Sequence, residues 1–113
     1  MFDTTTTQGL VNYDLRARNL QLESDTAVAI HTLHDIEAAL PLLPLAQVIH
    51  LQTMYQVPPI PTTIERECAY LLEHTVHHLA MVRVGLKIVA PTLSLAADFG
   101  VAKATVAHQK ASA

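Results

Sequence analysis

Cysteine is nearly missing from this chain: Cys68 is the only one in 113 residues. A lone thiol excludes an intrachain disulfide. Charge is scarce as well. Only 15% of residues are charged, the net charge is −3, and no basic run is present. Arg16 and Arg18 form the one close basic pair, flanked by Asp14 and Glu23, so nucleic acid is not expected as a partner. No apolar run reaches the roughly 18 residues that a membrane span needs. The N-terminal Met-Phe-Asp-Thr-Thr-Thr-Thr-Gln has neither the basic start nor the apolar stretch of a signal peptide. These absences lead us to expect a soluble protein in a reducing, cytoplasmic setting, with no membrane partner. A Gly-rich phosphate loop, a Ser/His/Asp series and a CxxC pair are also lacking.

What is present is apolar: half of the residues are hydrophobic, ample for the core of a single domain over residues 1–113. Residues 1–12 are polar and Thr-rich and read as a flexible arm. A helical turn around Asp14–Leu22 is weakly patterned. Ser24 or Asp25 is a good N-cap for a helix over 25–40, whose Ala27, Ile30, Leu33, Ile36 and Leu40 recur at helical spacing until Pro41 and Pro44 stop it. Residues 45–54 alternate imperfectly and fit either a short strand or an extended connector. Pro58, Pro59 and Pro61 then make 57–61 stiff and extended.

The strongest pattern is a helix over 62–89. Thr62-Thr-Ile-Glu65 matches a capping box, and Ala90-Pro91 ends the helix. Ile64, Cys68, Leu71, Leu72, Thr75, Leu79, Val82, Leu86 and Val89 form its apolar face; Glu65, Arg66, Glu73, Arg83 and Lys87 form the polar one. Asp98-Phe-Gly100 reads as a turn before a short final helix. Such a long helix cannot bury its apolar face alone. These elements predict an all-α, up-down helical bundle, completed by a second copy of the chain in a homodimer.

On one shoulder of the apolar face, Glu67, His74 and His78 fall within about 40° of one another at 100° per residue. Two imidazoles four residues apart can bind one divalent ion, most readily Zn, Ni, Fe or Mn, and a carboxylate on the same stripe can ligate the ion or orient a ligand. The position predicts partial burial between helices. The competing reading is a pair of helix-surface histidines bonded to neighbours, because His-x-x-x-His alone is a weak motif. His77 points about 100° away and fits a solvent-facing or outer-shell role. His31 and His34, beside Asp35 and Glu37, read as surface histidines; His50 and His108 have no discernible partner. Cys68 reads as a core thiol rather than a nucleophile. Salt bridges to Asp14 or Glu23 are the expected role of Arg16 and Arg18.

Three segments together carry a family resemblance: Asn12-Tyr-Asp-Leu-Arg-Ala-Arg-Asn19, Arg66-Glu-Cys-Ala-Tyr-Leu-Leu-Glu-His-Thr-Val-His-His-Leu-Ala-Met81 and Asp98-Phe-Gly-Val-Ala-Lys-Ala-Thr105. They resemble the DinB-like (YfiT-like) superfamily of metal-dependent proteins, and within it a bacterial branch. The resemblance implies a four-helix bundle, often dimeric, with a divalent metal held by three histidines. Two of them, from a His-x-x-x-His on a late helix, map onto His74 and His78. Some relatives are thiol-dependent transferases or isomerases acting on small molecules. In the family the third histidine precedes the Tyr-Asp-x-Arg-x-Arg segment. Eleven residues precede Asn12 here and none is His, so the resemblance implies a chain without that first helix and ligand, with Glu67, water or a symmetry mate in its place. Two readings of function follow: a metal-dependent transferase or hydrolase acting on a small molecule through an ion at His74 and His78, or a non-catalytic helical homo-oligomer.

Overall fold

The structure, a computed structural model, describes residues 9–113, with only the backbone of Gln56 and Val57. The expectation of an arm over 1–12 thus falls mostly outside the described residues. The chain divides into two compact units, one ending at Glu67 and the other running over Cys68–Ala113. Helices and strands follow in the order β1 (Leu10–Val11), α1 (Leu20–Ser24), α2 (Thr26–Ala39), a 3-10 turn (Leu40–Leu42), β2 (Val48–Thr53), β3 (Gln56–Thr63), α3 (Ile64–Val89) and α4 (Lys103–Ala111).

The expected all-α bundle is therefore overturned. The first unit holds a three-stranded mixed sheet of order β1-β2-β3, in which β1 runs parallel and β3 antiparallel to β2. The physical reason lies in residues 48–63. Val48, Ile49 and Thr53 are β-branched and favour the pleated surface. The prolines that follow cannot continue a helix, yet they are tolerated on an edge strand, where an amide need not donate to a neighbour. β3 is such an edge, with Pro61 opposite His50 and Ile60 opposite Leu51. Gly9 precedes β1; its φ of +65° suits glycine, and its carbonyl accepts from the His50 amide at 2.8 Å. The segment expected to be an arm thus ends in a strand.

Asp25 caps α2, accepting from the amides of Ala27 and Val28. Ser24 belongs to α1, whose cap is Asn19. The main neighbours of α2 are α1 and the 3-10 turn, and its stripe of Ile30, Leu33, Ile36 and Leu40 is exposed. No bundle partner covers it within this unit. The core of the unit lies elsewhere: among the described residues the buried hydrophobic side chains are Val11 on β1, Ile49 on β2 and Ile64 at the start of α3.

The start of α3 differs by one residue from the expected capping box. The Thr63 hydroxyl, not that of Thr62, accepts from the Arg66 amide at 3.2 Å. The preceding orphan amides of Ile64 and Glu65 donate to the carbonyls of Gln47 and Leu45. The 26 residues of α3 span about 39 Å at 1.5 Å each. In the second unit the chain after α3 turns back along the helix. The Arg83 guanidinium donates to the carbonyls of Ala97 and Phe99 at 3.0 and 2.9 Å. Gly100, at φ +65°, lies against the Leu79–Ala80 backbone: a Cβ there would stand 2.6 Å from the Leu79 carbonyl carbon. Arg83 is thus not simply part of a solvated face; it fastens the returning segment.

Candidate metal centre

The first turns of α3 carry the one buried charged side chain among the described residues, Glu67, which is 3% exposed. Its Oε2 accepts from the Tyr13 hydroxyl at 2.6 Å, and its Oε1 accepts from the Thr62 hydroxyl at 2.7 Å and from Arg66 Nη1 at 3.0 Å. Burial by itself raises the carboxyl pKa. The hydrogen bonds from Tyr13, Thr62 and Arg66, together with the Arg66 charge, outweigh it and hold the group below its ordinary range. Both oxygens are thereby engaged in the first unit, and Glu67 serves as an internal anchor. A groove of about 350 Å³ runs beside it, lined by Leu51, Ile60, Pro61, Thr63 and the anchor's own Thr62 and Arg66.

Sequence reasoning did not find the partners of Glu67. Tyr13 lies 54 residues away, and the capping-box pattern points the Thr62 hydroxyl at the helix amides instead. A local signal did exist upstream: Asn12 sits two residues before Asp14, a spacing typical of Asx turns. The Asn12 side chain accepts from the amides of Asp14 and Leu15, and Asp14 accepts from the Met54 amide at 2.9 Å. Asp14 therefore ties the β2–β3 turn to this segment, in place of the salt bridge expected with Arg16 or Arg18.

In the second unit His74 and His78 come together. Their Nε2 atoms are 3.0 Å apart, close enough for one ring to donate to the other. The rings meet edge to face with centroids 4.6 Å apart. Tyr70, one turn earlier, stacks on His74 at 5.5 Å, and His77 meets His78 edge-on at 6.0 Å. The expected partial burial is not found: both ligand candidates, and His77, are exposed. The cause is the path of the returning segment, which takes the side of α3 bearing Leu79, Ala80 and Arg83. At 100° per residue that side is opposite His74 and His78.

The donor chemistry of the pair suits a metal. Two nitrogens at the usual ~2.0–2.1 Å from one ion stand ~2.9 Å apart at a right angle and ~3.3 Å apart at the tetrahedral angle. The 3.0 Å separation falls between these values, and it is equally the distance of a hydrogen bond from one ring to the other. Among the described residues no group of three or more His, Cys, Asp or Glu side chains is placed to hold a metal.

The other candidates are placed apart from this pair in sequence and in bonding. His31 faces Asp35 at 3.4 Å and His34 faces Glu37 at 3.6 Å, all strongly exposed on α2. Cys68 is half-buried, His50 is exposed on β2 and His108 is exposed on α4. Among the described residues no helix is long and apolar enough to cross a membrane. No family model matches the chain, and neither a curated protein nor a solved structure does.

Proposed function

We propose that His74 and His78 hold one divalent transition-metal ion, Zn, Ni, Fe or Mn, and that the chain acts through it on a small molecule. The observation that supports this reading is the 3.0 Å approach of the two Nε2 atoms on an open helix face. From the resemblance to DinB-like proteins the reading takes the two ligand positions and the reaction class, a thiol-dependent transfer or a hydrolysis. It does not take the all-α bundle. When bound, the ion supplies Lewis acidity. Tyr70, stacked on His74, restrains the ring plane of one ligand. His77, beside His78, is placed to hydrogen-bond a group approaching the pair. A reducing cytoplasm is the setting that suits a lone thiol such as Cys68.

Metal analysis of untagged protein tests the proposal. The expected result is a bound transition metal that is lost in His74→Ala and in His78→Ala, together with a metal-dependent rise in Tm that both variants abolish. Metal-free protein whose Tm is unmoved by Zn²⁺, Ni²⁺, Fe²⁺ or Mn²⁺ would overturn it. That outcome would leave the reading as a non-catalytic homo-oligomer, which the exposed apolar residues of α2 and α3 favour.

A further inference from the structure

Residues 38–64 hold no Asp, Glu, Lys or Arg, yet they supply both longer strands of the sheet, β2 and β3. An uncharged strand with an open edge is a template for further strands, and charged side chains are a common guard against that. Here that guard is missing. The outer edges of the sheet are β1 and β3. β1 is only two residues long, too short to hold much of an added strand. β3 runs for eight residues, and its Pro58, Ile60 and Pro61 are exposed.

The direction of each β3 amide follows from the register. The His50 amide donates to Gly9, so His50 turns its hydrogen-bonding groups toward β1. Its neighbours Ile49 and Leu51 therefore turn theirs toward β3, where they face Thr62 and Ile60. Ile64, donating to the Gln47 carbonyl, continues the same alternation. Ile60 and Thr62 thus point their amides inward, and Pro59, Pro61 and Thr63 are the positions that point outward. A proline nitrogen carries no hydrogen. Along this stretch the outer edge offers carbonyl acceptors and, before Thr63, no donor.

We infer that Pro59 and Pro61 close the β3 edge to strand addition, whether by an extended peptide or by β3 of another copy of this chain. A strand laid there would bring its carbonyls against proline rings at two successive ladder positions. Those carbonyls would lose water and gain no donor, and the rings would crowd the incoming backbone. The inner ladder keeps its own bonds, because neither proline sits at an inward-facing position. The inference concerns the first unit alone and is independent of the histidine pair.

Sedimentation equilibrium of the untagged full chain tests it, with circular dichroism to show that each variant keeps the wild-type helix and strand content. Pro59→Val combined with Pro61→Val restores both outward amides. The double variant should associate beyond wild type, its weight-average mass rising about two-fold or more with concentration. Pro58→Val, on the inward alternation of Ile60, should leave the mass at the wild-type value. Amide hydrogen exchange gives a second reading that needs no association. The new amide at position 61 should exchange fast in dilute protein and slow in the associated form, while that of Ile60 stays slow in both. If the double variant loses secondary structure, Pro61→Val alone carries both readings. A folded variant that keeps the wild-type mass at every concentration would overturn the inference. So would a new amide at position 61 as protected as that of Ile60 in dilute protein, because it would then point into the sheet.

Discussion

Glu67 and His74 lie seven residues apart on nearly the same stripe of α3, yet their surroundings are opposite. Glu67 is enclosed, with Tyr13, Thr62 and Arg66 donating to its carboxylate. His74 and His78 stand in the open and have each other. The difference teaches that position on a helix face does not settle what a side chain does; the element laid against that face does. At the start of α3, Tyr13 from beyond β1 and Thr62 on β3 close over the stripe. In the second unit the returning segment covers the other side and leaves the histidines exposed. The enclosed carboxylate is charged and fully bonded, which suits an anchor. The exposed imidazoles have lone pairs to offer, which suits a ligand.

This contrast can be broken from the enclosed side first. Ile49 is 1% exposed, and Ile49→Ala should cost about 2–5 kcal/mol of unfolding free energy in urea titration, because it removes buried methylenes and leaves a cavity. Glu67→Gln is expected to cost less, about 1–3 kcal/mol at neutral pH, through the loss of bonds to a charged acceptor. Its pH dependence has a definite sign. The folded-state pKa of Glu67 is depressed, so the contribution of the charge is fully present above the unfolded carboxylate pKa. It is lost as pH falls through the lower, folded value. Wild-type protein should therefore lose stability on acidification more steeply than Glu67→Gln, and parallel acid profiles would remove Glu67 as the anchor.

In the second unit, Gly100→Ala should cost about 1–2 kcal/mol for its left-handed backbone, and more if the Leu79 backbone cannot yield to the new Cβ. Thermal melts monitored by circular dichroism would show the effect as a lower Tm. The smallest expected effect is at the exposed pair. His74→Ala and His78→Ala, measured without metal, should stay within about 0.5 kcal/mol of wild type, as surface substitutions do. A loss of several kcal/mol there would show that the pair is structural and would erase the distinction between the two regions.

Much of the helical content was readable in the residues. Asp25 as a cap, the apolar stripe of α2 and the run of α3 to Val89 all follow from local chemistry that acts within one or two turns. So does the turn at Gly100. The sheet was harder to read. Residues 45–54 carry too short and irregular an alternation to separate strand from connector. The three prolines of β3 argue against a strand anywhere except at an edge, and sequence does not say which strand is the edge. The pairing of Leu10–Val11 with β2 joins residues 40 apart in the chain, beyond the reach of any local pattern.

Sequence alone placed His74 and His78 one turn apart on a single helix, because helical geometry depends only on spacing and on the absence of a breaker between them. It likewise placed Glu67 on the same stripe. Tertiary structure decided which of these groups is buried and which is open. Burial depends on what distant segments bring: Tyr13 from the β1 side and Thr62 from β3 to Glu67, and the segment held by Arg83 to the far side of α3. Those contacts are long-range, so the same stripe holds a bonded anchor at one end and an open pair of nitrogens seven residues later.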